Sequence, residues 1–147
     1  MSQLEEILQS LENYSIKGEF TLNPTDVLSR VCNIPVVTDY SGIYLFYDDL
    51  DRLIYVGISG REDADGNFLH RKNGLRGRFL TGKQFDGVRR KTLPLEMQKG
   101  GIKFLRIKWY VTYCDDCKDI PRTMERNLIT AFKVENNGFR PMWNKKD

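Results

Sequence analysis

Gly42-Ile43-Tyr44-Leu45-Phe46-Tyr47, then Asp48-Asp49-Leu50-Asp51, then Leu53-Ile54-Tyr55-Val56-Gly57-Ile58: this stretch decides the fold. Two runs of β-branched and aromatic residues flank a short acidic turn, the pattern of a β-hairpin. In an antiparallel pair, Tyr44 and Tyr55 approach each other across the ladder if the register allows. Gly42 and Gly57 leave space beside the phenols for another backbone or a phosphate. Taken by themselves, the two tyrosines also fit as ordinary core residues of a sheet.

Working outward, residues 103–113 form the third expected strand. Phe104, Arg106, Lys108 and Tyr110 alternate there with Leu105, Ile107, Trp109 and Val111, so one face is drier. Residues 2–13 read as a helix, with Leu4, Ile7, Leu8 and Leu11 on one face and Ser2 as N-cap. A short helix is expected over 24–31, capped by Asn23 and opened by Pro24. Short helices follow over 75–80 and 93–99. A longer one is expected over 121–134, with Met124, Leu128, Ile129 and Phe132 as its apolar stripe and Asn136-Asn137-Gly138 as its stop. Residues 60–73 are polar and read as a loop. The order predicts an α/β (α+β) fold, a small three-stranded antiparallel sheet flanked by helices. Residues 1–40 read as an N-terminal helical extension packed on a core of residues 41–147.

The net charge of +3 hides an uneven distribution. Between Arg71 and Lys108 stand 12 Lys or Arg and two acids; the remainder holds 11 bases and 18 acids. A basic middle in an acidic frame suits a polyanion, or alternatively a solvated basic face. Arg89-Arg90-Lys91 reads as a phosphate-backbone contact, as do Arg71, Lys72, Arg76 and Lys83. No apolar run approaches the ~20 residues that span a bilayer. The N-terminus lacks the basic start and apolar centre of a secretory signal. With 3 cysteines, an odd number, these features predict a cytoplasmic protein with no membrane partner.

Three further positions carry chemistry. In Leu75-Arg76-Gly77-Arg78-Phe79, helical spacing puts Leu75, Arg78 and Phe79 on one face, aiming Arg78 inward and Arg76 towards solvent or nucleic acid. An arginine fork is suited to phosphate. Glu125 sits at the margin of the last helix's stripe, where a partly desolvated carboxylate needs a partner: a divalent cation, Arg122 or Arg126. Cys114-Asp115-Asp116-Cys117 is either a turn or half of a zinc site completed by Cys32 and His70, the sole histidine. His70 otherwise reads as a solvated loop residue or a phosphate contact.

In order along the chain, these pieces resemble the GIY-YIG nuclease family. Gly42-Ile43-Tyr44 and Tyr55-Val56-Gly57 match its paired signature. Leu75-x-x-Arg78-Phe79 matches its helix arginine, and Glu125-Arg126-Asn127-Leu128-Ile129 its helix glutamate. Pro141-Met142-Trp143-Asn144 is similar to its C-terminal asparagine motif. The resemblance spans residues 41–144 and implies a metal-dependent endonuclease, with residues 41–147 as the catalytic domain. It implies DNA, most of all double-stranded DNA, as partner, and products bearing 5′-phosphate and 3′-hydroxyl. Tyr44 would be the general base or the group orienting the attacking water. Tyr55 would position water or phosphate, and Arg78 would stabilise the crowded negative charge. Glu125 would be the sole protein ligand of Mg2+ or Mn2+, and Asn144 would hold the site's geometry. A tyrosine is a poor base near neutrality unless a cation lowers its pKa, a task that falls to Arg78 and the metal. Where many members carry a histidine four residues after the arginine, this chain has Gly82, followed by Lys83. The long loop after Gly57 and the Pro-x-Trp-Asn ending are nearer the restriction-endonuclease branch. The alternatives are a catalytically inactive nucleic-acid-binding module and a zinc-stabilised interaction domain.

Overall fold

The computed structural model describes residues 1–145. In chain order its elements are α1 (Gln3–Leu11), β1 (Lys17–Leu22), α2 (Leu28–Val31), β2 (Ser41–Tyr47), β3 (Leu53–Ser59), β4 (Arg61–Glu62), β5 (Phe68–Leu69), α3 (Gly74–Thr81), β6 (Lys83–Gln84), β7 (Gly87–Val88), α4 (Arg89–Lys99), β8 (Leu105–Cys114), β9 (Cys117–Lys118) and α5 (Pro121–Glu135). The protein is mixed α/β with antiparallel sheets.

The main sheet has five strands where three were expected. Its order is β1-β8-β2-β3, with β9 folding back on β8. The three predicted strands, β8, β2 and β3, lie side by side in it. The additions are the edge strand β1, contributed by the region read as a helical extension, and the two-residue β9. Residues 60–73, read as a loop, contain the small β4–β5 hairpin, where Phe68 stacks on Tyr113 at 3.7 Å between ring centroids. The helix expected over 24–31 is a single turn, Leu28–Val31. Asn23 does not cap it: its backbone N–H and side-chain amide both donate to Asp26 Oδ2, closing a local turn instead. Ser2 does cap α1, accepting from the Glu5 N–H at 3.1 Å. Asn137 and Gly138 follow α5 with positive φ, as a helix stop requires.

β2 lies between β8 and β3, which cover its edges, while helices cover both its faces, so Ser41 to Phe46 are all buried. This explains its unbroken apolar run. Ile43 and Leu45 pack with Leu11, Leu128 and Ile129 from α1 and α5. Tyr44 and Phe46 face the other way, with Phe79, Leu93 and Met97 from α3 and α4. β3 is an outer strand, and its free edge decides where the functional groups meet. The C-terminal tail covers part of that edge, as the Trp143 N–H donates to the Ile54 carbonyl at 2.7 Å. Among the described residues, no helix is long and apolar enough to cross a membrane.

Candidate active site

The hairpin register sets Tyr44 opposite Gly57 and Phe46 opposite Tyr55. Tyr44 and Tyr55 are therefore diagonal neighbours on one face, with ring centroids 6.2 Å apart. A Cβ on Gly57 would stand 2.2 Å from Tyr44 Cε2. The space beside this phenol, expected to admit a backbone or a phosphate, is filled by the phenol ring itself. Phe79 closes the other side edge-on, at 5.3 Å. Tyr44 is only 1% exposed, and burial pushes its hydroxyl up to about 12 even though the Arg89 cation pulls the other way. Arg78 acts in the lowering direction expected of it, but in the protein without a metal ion desolvation outweighs it.

On α3, Leu75 and Phe79 are fully buried, and Arg78 shares their side of the helix. Its Nε is buried and has no hydrogen-bond partner among the described residues, although the side chain lines a cleft. Arg76 corrects the sequence reading. Its guanidinium donates to the carbonyls of Cys32 and Ile34, each at 2.9 Å, and of Ser29 at 3.1 Å. It clamps the end of α2 onto α3 and has few donors left for a nucleic acid.

Arg89 is a second correction. Expected on the surface, it is 1% exposed. It donates to Tyr44 Oη at 2.8 Å, Tyr55 Oη at 3.4 Å and Gln84 Oε1 at 3.0 Å. The phase of α4 carried the signal: Arg89, Leu93 and Met97 are its buried residues, spaced at i, i+4 and i+8. A helix taken to start at residue 93 left Arg89 off that stripe. Gln84 and Gly82, which pack against Arg89, were missed with it.

Glu125 is half-buried on α5. Burial raises its carboxyl above the ordinary range, while Arg122 and Arg126 pull it back down. Asn144 spends its whole amide on one residue. Its Oδ1 accepts from the Val56 N–H and its Nδ2 donates to the Val56 carbonyl, both at 2.9 Å.

A single cleft of about 900 Å³ is lined by Tyr44, Tyr55, Arg78, Glu125 and Asn144 together. It wraps the outer strand β3, so groups from α3 and α5, which pack on opposite faces of the sheet, share one hollow. Among its described lining residues, Arg61, Arg71, Arg78, Lys83, Arg122 and Lys145 face only three acids, Glu62, Asp86 and Glu125. Of the other predicted nucleic-acid contacts, Lys72, Arg90 and Lys91 are exposed but do not line the cleft.

The donor set suits one kind of cation. Glu125, a partly desolvated carboxylate in an open cleft, fits the habit of Mg2+, which takes one or two carboxylates and keeps most of its waters. Among the described residues, the candidate zinc ligands are not brought together. Cys114 and Cys117 pair across the β8–β9 turn, Cys32 is buried in the core, and His70 Nδ1 shares a 2.6 Å hydrogen bond with Ser41 Oγ. Among the described residues, no group of three or more His, Cys, Asp or Glu is placed to hold a metal. The chain matches no family model, no curated protein and no solved structure.

Proposed function

We propose that this protein is a GIY-YIG-type endonuclease that hydrolyses phosphodiester bonds in double-stranded DNA, with Mg2+ or Mn2+ held by Glu125. One observation carries the reading: Tyr44, Tyr55, Arg78, Glu125 and Asn144, drawn from β2, β3, α3, α5 and the tail, line one net-basic cleft.

The side chains divide the work. Arg78 lines the cleft, where a guanidinium is suited to an equatorial phosphate oxygen whose charge grows in the transition state. Tyr44 lines the cleft as the group that orients the attacking water or takes its proton. Tyr55, less buried, is placed to position water or phosphate beside it. Asn144 pins the tail to β3 and so fixes the wall of the cleft. A bound divalent ion supplies Lewis-acid stabilisation of the attacking or leaving oxygen. The products are a 5′-phosphate and a 3′-hydroxyl.

The purified chain is expected to nick supercoiled plasmid with magnesium, and Glu125→Ala to abolish nicking. Failure to cut any DNA or RNA with magnesium or manganese overturns the reading. Salt-dependent binding without cutting selects the inactive binding module instead.

A further inference from the structure

Beneath the two phenols lies a cation with no carboxylate beside it. Arg89 is fully buried, and no Asp or Glu among the described residues pairs with it. A guanidinium has five N–H donors. Arg89 directs Nε to Gln84, Nη1 to the carbonyls of Phe79 (3.0 Å) and Arg78 (3.2 Å), and Nη2 to the oxygens of Tyr44 and Tyr55. Its donors are thus met, while its charge is not neutralised. Burying such a charge is costly, and a purely structural role is filled more cheaply by an apolar side chain.

Gly82 makes the arrangement possible. Its φ of −62° is open to any residue, so no backbone strain demands a glycine there. A Cβ at this position would instead stand 2.4 Å from Arg89 Nη1 and 2.7 Å from the Arg78 carbonyl. The glycine after α3 and the arginine opening α4 form one packing unit.

We propose that Arg89 is a positioning residue for the cleavage reaction: by donating to both phenol oxygens it turns their O–H hydrogens away from itself and towards the cleft, and Gly82 is the seat that lets it reach them. This rests on the nuclease reading for its purpose, though not for its geometry. A guanidinium accepts no hydrogen bond, so a phenol oxygen that receives its N–H points its own hydrogen elsewhere. Tyr44 and Tyr55 both line the cleft. The charged or titratable groups facing Tyr44 are Tyr55 from β3, Arg78 from α3 and Arg89 from α4; Trp109 stands opposite it on β8. None is a carboxylate. The Arg89 cation, 5.1 Å from the Tyr44 ring centroid, therefore stabilises any negative charge that gathers on that oxygen as water attacks.

The test uses the full chain carrying 3-fluorotyrosine, with Tyr44→Phe assigning the Tyr44 fluorine resonance. In Arg89→Gln, the Tyr44 titration is expected to rise by about one pH unit or more. Arg89→Lys, which keeps the charge, falls between it and the wild type. Gly82→Ala, which displaces the guanidinium without removing it, moves the titration in the same direction as Arg89→Gln. On plasmid, Arg89→Gln lowers kcat about a hundredfold and leaves KM little changed. If Arg89→Gln does not fold, Arg89→Lys and Gly82→Ala carry the same readout. An unmoved resonance and titration in the folded variants overturn the proposal, even if the wild type cuts DNA. A shifted titration with no cleavage by the wild type sinks the nuclease reading and leaves the hold of Arg89 on the phenols standing.

Discussion

Asn144 and Val56 are joined by two hydrogen bonds of 2.9 Å, the side-chain amide of one pairing with both backbone groups of the other. The amide acts as one more rung on the free edge of β3, next to the bond from the Trp143 N–H to the Ile54 carbonyl. Val56 is buried, so removing its partner strands a backbone N–H. Asn144→Ala is expected to cost about 1–3 kcal/mol in denaturant unfolding. Trp143, packed against Phe46 and Phe85, then reports loosening of the tail as a red-shifted emission. Asn144→Asp places an anion against the Val56 carbonyl. That raises the new carboxyl's folded pKa, so its extra destabilisation appears as pH rises and fades in acid. Equal stability of Asn144→Asp and wild type near neutrality argues against this account.

Glu125 gives a second pH-dependent expectation, of definite sign. Its carboxyl is raised in the folded state, mainly by burial. Between the ordinary carboxylate pKa and that raised value the folded protein holds the extra proton. Stability therefore falls as pH climbs through this window, and the penalty persists above it. Without divalent ions, Glu125→Gln is expected to raise Tm near neutrality and to lose that advantage at acid pH. With magnesium the order reverses, because only the carboxylate binds the ion. Thermal melts of both proteins across pH, with magnesium and with chelator, check this. A lower Tm for Glu125→Gln in chelator contradicts it.

Two arginines on one helix, two residues apart, have opposite expected phenotypes. Arg76 satisfies three carbonyls of the segment between Ser29 and Ile34. Arg76→Ala should cost about 2 kcal/mol, while the folded fraction keeps its activity. Arg78 leaves a buried Nε unpaired. Arg78→Met should be close to neutral in stability, yet lose about a hundredfold or more in kcat. Urea melts alongside single-turnover cleavage separate the two. Exchanged phenotypes would show that the two side chains have been assigned the wrong tasks.

How much of this was legible depends on where each residue's partners lie. The face of Arg78 follows from helical spacing to Leu75 and Phe79, which are local in sequence, and the expectation needed nothing else. The orientation of Arg76 is fixed by carbonyls more than forty residues earlier, which no periodicity reports. β1 has only two buried residues, Phe20 and Leu22, because edge strands are mostly solvated, and Lys17–Leu22 therefore shows little apolar pattern. Arg89 stands first in a basic run, Arg89-Arg90-Lys91, whose composition reads as surface. Its burial appears only once the helix is extended back to put it in phase with Leu93 and Met97. The hairpin was plain because both of its apolar runs are long and its turn is acidic, and the meeting of Glu125 with the tyrosines depends on β3 being an outer strand.

The basic cleft predicts a salt dependence that sorts its cations. Each phosphate neutralised contributes roughly −0.9 to the slope of log K against log salt on duplex DNA. Arg71 and Lys83 are exposed and line the cleft, so each is free to pair with a phosphate. Arg71→Ala and Lys83→Ala should each make the slope shallower by about one and weaken binding across all sequences alike. Arg76→Ala should leave the slope unchanged, because its guanidinium is committed to carbonyls. Lys72, Arg90 and Lys91 lie outside the cleft lining and are expected to matter only for duplexes long enough to reach past it. Fluorescence anisotropy on one labelled duplex, with calcium in place of magnesium to prevent cutting, measures all of these slopes. If Arg76→Ala changes the slope as much as Lys83→Ala does, the duplex does not follow the cleft.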